Sequence, residues 1–79
     1  METVLALISC EVRASDAVTK KLQLIDEIKE ITPVLGSFDV VAKVTASTKE
    51  ELRDAIRKKI RTTDNIRTTS TLMVAESQT

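Results

Sequence analysis

Two short segments of this sequence are apolar at nearly every position, and they limit the folds open to the chain more than any other feature. The first spans residues 4–8, and the second spans residues 38–44 and includes two charged residues. Regular alternation of polar and apolar residues would indicate a strand with one wet face, whereas continuous apolar character indicates burial on both faces. Both segments are far shorter than the roughly 20 residues that cross a bilayer. We therefore predict two strands in the middle of a sheet.

Helix and strand patterns alternate along the rest of the chain. One amphipathic helix is predicted from residue 14 to about residue 24, with Ser15 or Asp16 as its cap, and a second from residue 47 to about residue 61, opened by a capping box at residues 47–50. Pro33 cannot donate a ladder hydrogen bond, so its strand should lie at a sheet edge or carry a bulge. The predicted strands span residues 3–12, 28–35, 38–46 and 66–75.

This order of elements predicts one α+β domain over residues 1–79, with a ferredoxin-like β-α-β-β-α-β fold. Right-handed crossovers place both helices on one face of an antiparallel four-stranded sheet. Leu5, Leu7 and Val41 have the opposite parity to the other apolar residues of the two central strands, so one apolar set would face water. A chain of 79 residues also has little core of its own. We therefore predict an obligate homo-oligomer, built from dimers that pack sheet to sheet.

Composition argues against several classes of function. Twelve basic and twelve acidic residues give a net charge of zero, and the chain has no histidine and one cysteine. We therefore expect no direct binding to nucleic acid or membrane, no metal, no other cofactor and no intrachain disulfide. The start of the chain lacks the pattern of a signal peptide, which indicates a cytoplasmic protein with Cys10 as a small buried apolar residue. No nucleophile–base pair or phosphate-binding glycine motif is present, so we predict that the chain is not an enzyme.

Two segments carry groups that could bind a small molecule. The turn after the second strand offers backbone N–H groups, an apolar ring and a carboxylate that could accept from an ammonium group, supplied by Gly36, Ser37, Phe38 and Asp39. The alternative is a plain hairpin turn in which Asp39 only satisfies local N–H groups. On the last strand Thr69 and Thr71 present two hydroxyls on one side. The alternative there is the β-propensity of a partly wet strand.

At these residues the chain resembles the effector-binding domain of the Lrp/AsnC family of transcription regulators, also called the RAM domain. The similar stretches are residues 36–44, 52–56 and 66–72. The resemblance implies sheet-to-sheet dimers that close into octamers or decamers, with an amino acid bound between dimers. It assigns the effector site to Gly36, Ser37, Phe38, Asp39, Thr69 and Thr71, with Asp54 as a contact for a cationic effector side chain. Phe38 stands where a tyrosine is more usual, so one hydroxyl is lost.

Family members usually carry an N-terminal helix-turn-helix domain, and this sequence begins at the first strand. The resemblance therefore implies a stand-alone form that senses an amino acid and oligomerises, and that modulates full-length Lrp/AsnC regulators by co-assembly. Three alternatives remain open at this point. They are an ACT-like amino-acid-binding module, a structural or heteromeric interaction subunit, and a small ferredoxin-like enzyme such as a cofactor-independent monooxygenase. The absence of His, Trp and Tyr counts against the enzyme.

Overall fold

The computed structural model describes residues 1–73, and within them it contains four strands and two helices. The elements are β1 (Glu2–Cys10), α1 (Ser15–Leu22), β2 (Ile28–Pro33), β3 (Val40–Ala46), α2 (Lys49–Asp54), which continues as a π-helical segment (Ala55–Ile60), and β4 (Ile66–Met73). This order confirms the predicted ferredoxin-like fold, with both helices on one face of the sheet.

The four strands form one antiparallel sheet in the order β2-β3-β1-β4. The two strands with continuous apolar character, β1 and β3, are therefore central, as predicted, and Ile8 pairs with Val40. β2 lies at an edge, ends at Pro33 and shifts its register against β3 between Ile28 and Glu30. Both outcomes expected of a strand that contains proline, an edge position and a bulge, are present.

The core lies between this sheet and the two helices. Alternate residues of the central strands are buried, and buried apolar side chains of α1, α2 and the π-helical segment complete the cluster: Val4, Ala6, Ile8, Cys10, Val18, Leu22, Val40, Ala42, Val44, Leu52, Ala55, Ile56 and Ile60. Cys10 is buried among them, as predicted. Burial, and then the negative charge of Asp39, raises the pKa of the Cys10 thiol, so this thiol stays protonated and unreactive at neutral pH.

The opposite face of the sheet carries no helix within residues 1–73. Leu5, Leu7 and Val41 lie there and are partly exposed, which confirms the predicted split between the two parities. Cross-strand pairing places Leu7 opposite Val41, and Leu5 opposite Leu72, whose side chain is 53% exposed. We call these four residues the outer apolar patch.

The start of α1 differs from the prediction. Ser15 and Asp16 do not cap the helix; the capping position is Ala14, and no side chain bonds to the helix end. The N–H of Ala14 donates to the carbonyl of Glu11 at 3.0 Å, and the N–H of Val18 donates to the carbonyl of Ala14 at 2.9 Å. A backbone turn therefore begins the helix, and Ser15 is already inside its first turn.

The second helix also begins later than its capping box predicted. Thr48, not Ser47, is the cap, and its hydroxyl accepts from the N–H of Glu51 at 3.1 Å. Farther along, the N–H of Arg61 donates to the carbonyl of Ile56 at 2.9 Å. That five-residue step is the wider turn of a π-helix, which local sequence patterns did not indicate.

Strand ends differ by a few residues for local reasons. β1 stops at Cys10 and not at Val12, because the chain turns at Arg13, which has a φ of +64°. β3 starts at Val40 and not at residue 38, because residues 36–39 belong to a turn. The predicted end of the last strand, residue 75, lies outside the described residues.

Candidate functional site

The connection between β2 and β3 is a sharp turn that contains Gly36, as the sequence predicted. Gly36 has a φ of +118°, a conformation that residues with a Cβ rarely adopt. A Cβ placed there would meet no atom within 4 Å. The backbone conformation alone, and not lack of space, therefore requires glycine.

Asp39 ties this turn to the end of β1. Its Oδ2 accepts a hydrogen bond from the N–H of Cys10 at 2.7 Å, and its own N–H donates to the carbonyl of Ile8 at 2.8 Å. Its carbonyl accepts from the N–H of Val34 at 3.0 Å, which closes the turn from the other side. Asp39 thus has the structural role of the hairpin alternative. Its Oδ1 accepts no hydrogen bond from residues 1–73, so one carboxylate oxygen remains available to a ligand.

Ser37 and Phe38 occupy the tip and the descending side of the turn. The hydroxyl of Ser9 donates to the carbonyl of Ser37 at 3.1 Å, which adds a second link to β1. Ser37 is exposed and Phe38 is partly buried. Within residues 1–73, the N–H groups of Gly36, Ser37 and Phe38 make no hydrogen bond, so three donors remain free at the turn.

Thr69 and Thr71 lie on β4 and point to the same side, as predicted. They pair with Ile8 and Ala6, which are fully buried, so both hydroxyls are on the face of the sheet that the helices cover. The hydroxyl oxygen of Thr69 is buried without a hydrogen-bond partner within the described part of the chain. A buried hydroxyl in this state is costly and indicates a missing partner, such as a water or a ligand.

Asp39 and Thr69 flank the same residue of β1. The N–H of Asp39 donates to Ile8 from the β3 side, and Thr69 pairs with Ile8 from the β4 side. Two strand spacings separate the backbones of Asp39 and Thr69, a distance of about 10 Å. The sheet therefore brings the turn and Thr69 to the same level. Thr71 lies two residues farther from the turn along β4.

Asp54 lies elsewhere. It is exposed on α2, and its Oδ2 is 3.9 Å from Nζ of Lys58, one helical turn later. A pair at this spacing is an ordinary feature of a helix surface. Within one protomer the structure does not bring Asp54 to the turn, so its predicted role depends on a neighbouring protomer.

A groove of about 450 Å³ lies between the second helix and β4, and it was not predicted from the sequence. Its floor is mainly apolar and its rim is basic; the lining residues are Val4, Lys49, Leu52, Arg53, Ile56, Arg57, Arg61, Thr71 and Met73. Thr71 belongs both to this groove and to the predicted site. The sequence pattern that could have revealed the groove is a basic residue at every fourth position from residue 49 to residue 61, because residues at this spacing lie on one face of a helix.

Residues 1–73 contain neither a cluster of metal ligands nor a helix suited to a membrane. No group of three or more His, Cys, Asp or Glu side chains there could hold a metal ion. No helix in that part of the chain is long and apolar enough to cross a membrane.

Proteins of known structure share this arrangement of strands and helices. A family model described as the Lrp/AsnC ligand binding domain matches residues 3–78. The crystal structure of FFRP-DM1 superposes with a TM-score of 0.90 and 32% identity, over 95% of this chain and 100% of that one. A hypothetical protein from Pyrococcus horikoshii superposes with a TM-score of 0.88 and 31% identity, over 99% of this chain and 94% of that one.

Two further likenesses are more limited in what they show. A feast or famine regulatory protein from M. tuberculosis, complexed with L-methionine, superposes with a TM-score of 0.80 over 100% of this chain and 53% of that one; at 23% identity it shows the fold alone. Homocitrate synthases of Saccharolobus islandicus and Saccharolobus solfataricus are 36% identical over 58 residues, or 73% of this chain. The chain spans only 12% of the length of these curated relatives, so the match concerns a small segment of a much longer enzyme.

Proposed function

Because this chain belongs to the Lrp/AsnC ligand binding domain family, we propose that it binds a free amino acid in a site completed between sheet-to-sheet dimers. The observation that carries the proposal is the anchoring of the 36–39 turn to β1, which leaves three N–H groups and one carboxylate oxygen of the turn without a partner among residues 1–73. Family membership supports an effector-binding domain related to transcription regulators. The groups left free at the turn support an amino acid as the effector.

The free groups of the turn match the two charges that every amino acid carries. The N–H groups of Gly36, Ser37 and Phe38 suit the α-carboxylate, because backbone donors stabilise an anion without placing another charge nearby. The free Oδ1 of Asp39 suits the α-ammonium. Hydroxyls of Thr69 and Thr71 from a neighbouring protomer would bond the effector from the opposite side, and Thr69 would gain the partner that it lacks.

The outer apolar patch supports the dimer. Leu5, Leu7, Val41 and Leu72 form a group on an uncovered sheet face, bordered by Thr and Ser residues and by Lys43. An apolar centre with a polar rim is the usual anatomy of a protein–protein interface. Packing of two such faces about a twofold axis would remove both patches from water. The dimers would then assemble into octamers or decamers, and effector binding would favour the closed ring.

The M. tuberculosis regulatory protein is complexed with L-methionine, which supports the amino-acid class of ligand for this fold. Membership in a family of regulator domains also supports a role in co-assembly with full-length Lrp/AsnC proteins. That mode would let the chain alter transcription without contacting DNA itself.

Calorimetric titration with all twenty amino acids tests the proposal, with sedimentation of the same samples. We expect at least one amino acid to bind and to shift the protein towards a larger assembly. Asp39→Asn should weaken that binding, whereas Asp16→Asn, an equal charge change at an exposed site on α1, should leave it unchanged. If no amino acid binds at millimolar concentration, the proposal is wrong and a structural or heteromeric subunit becomes the better description.

A further inference from the structure

The groove between the second helix and β4 carries an unbalanced positive charge. Four of its nine lining residues are cations and none is an acid; the cations are Lys49, Arg53, Arg57 and Arg61. They recur every four residues, so successive cations project from one side of the helix on successive turns. The chain as a whole has a net charge of zero, so its charges are separated and this groove is locally basic.

None of these four cations forms an ion pair with another described residue. Other basic residues of the same helical stretch do pair: Nζ of Lys58 lies 3.9 Å from Asp54, and Nζ of Lys59 lies 2.9 Å from Glu27. Asp54 and Glu27 are therefore engaged by cations outside the groove, and Glu50 and Glu51 on the same helix form no ion pair with the groove cations. Among the described residues, nothing pairs with the groove cations, so they can bind an external anion.

Thr71 connects this groove to the proposed function, because it lines the groove and is also a predicted effector contact. We propose that the effector is a dicarboxylic amino acid, aspartate or glutamate, whose side-chain carboxylate is bound by the groove cations. This inference rests on the proposed function, since it assumes that an amino acid occupies the site. It names the chemical class that the site selects.

The groove dimensions support a small ligand. Its volume of about 450 Å³ lies within the range of small-molecule sites, roughly 300–1,000 Å³. Leu52, Ile56 and Met73 supply apolar contacts for the methylene groups of the effector. Guanidinium groups bind carboxylates with paired hydrogen bonds, which favours arginine over lysine for this role.

The same geometry argues against a cationic effector. Asp54, the residue expected to contact a cationic side chain, is engaged with Lys58 and does not line the groove. A lysine or arginine effector placed beside Thr71 would meet four like charges. A dicarboxylic effector would therefore have a side chain of the opposite charge to the one that the resemblance implied for Asp54.

Calorimetry with L-glutamate and L-glutamine tests the inference, because the two ligands have nearly the same shape and differ in charge. We expect glutamate or aspartate to bind about tenfold more tightly than its amide, as a charge-assisted bond exceeds a neutral one by about this factor. Raising the salt concentration to about 0.5 M should reduce the difference, because salt screens exposed charges.

Arg53→Gln and Arg57→Gln should each reduce the preference for glutamate over glutamine. Lys20→Gln, the matched loss of one exposed charge on α1, should leave it intact. Urea unfolding of each variant checks that the fold is unchanged.

The outcomes separate the two proposals. If glutamine, methionine or lysine binds as tightly as glutamate and aspartate, the inference is overturned and the amino-acid site stands. If the preference is present but survives both arginine substitutions, the groove does not carry it and the inference is again overturned. If no amino acid binds, the proposed function fails and the inference fails with it.

Discussion

Asp39→Ala and Asp39→Asn remove different properties of one side chain. Alanine removes the oxygen that accepts the hydrogen bond from the N–H of Cys10 at 2.7 Å. Asparagine keeps one carbonyl oxygen in nearly the same place, removes the charge and replaces the second oxygen by an NH2 group. Because the proposed effector contact needs the charge and the turn needs the acceptor, the two variants separate the binding role of Asp39 from its structural role.

The expected magnitudes follow from this hydrogen bond. Loss of a hydrogen bond to a charged group, with the partly buried N–H left unpaired, lowers the free energy of unfolding by about 2 kcal/mol in Asp39→Ala. Replacement of the charged acceptor by a neutral one costs about 1 kcal/mol in Asp39→Asn. In a domain of this size, each kcal/mol lowers Tm by about 4–8 °C. We therefore expect Tm to fall by about 8–16 °C for alanine and by about 4–8 °C for asparagine.

Thermal unfolding followed by circular dichroism measures both effects, at one protomer concentration and with and without the effector. The concentration must be held constant because the Tm of an oligomer depends on it. The effector should raise the Tm of the unaltered protein and should raise the Tm of Asp39→Asn much less. An unchanged Tm in Asp39→Ala would refute the structural argument. An equal ligand-induced rise in the unaltered protein and in Asp39→Asn would refute the proposed contact between Asp39 and the effector.

Three other changes test separate parts of the structure. Leu7→Lys should dissociate the oligomer in sedimentation and lower the stability of the fold, because Leu7 belongs to the outer apolar patch, whereas Leu24→Lys, at a position that is 83% exposed, should do neither. Gly36→Val should lower the free energy of unfolding by at least about 1 kcal/mol in urea titration, because a β-branched residue is strained at a φ of +118°; an unchanged midpoint would mean that the turn can relax. The hydrogen bond from Lys59 lowers the pKa of Glu27. The ionised Glu27 therefore stabilises the fold fully above the ordinary glutamate pKa of about 4.3. This contribution to the free energy of unfolding is lost as the pH falls through the lowered pKa. Lys59→Gln should reduce that acid-induced loss of stability, and an identical pH profile would contradict the pairing.

The sequence by itself determined the order of elements and the layers of this fold. Apolar residues at successive positions placed β1 and β3 in the centre, because only a central strand can bury residues on both faces. Pro33 restricted β2 to an edge position or a bulge, since proline cannot donate a ladder hydrogen bond. The parity of Leu5, Leu7 and Val41 identified the uncovered face. Each of these inferences rests on a local property of the sequence, either the pattern of apolar residues along a strand or the missing backbone N–H of proline.

Only the tertiary structure decided how distant segments meet. Asp39 and Cys10 are 29 positions apart, and no local pattern indicates that a carboxylate from the turn accepts from the partly buried N–H of Cys10 on β1. The groove depends on where the second helix lies over β4, so its basic rim and apolar floor become one site only after folding. The surroundings of Asp54 also could not be predicted, because helical spacing shows which side of the helix a residue lies on but not which residues lie opposite that side. Contacts between segments far apart in the chain depend on the packing of whole elements, which no short stretch of sequence encodes.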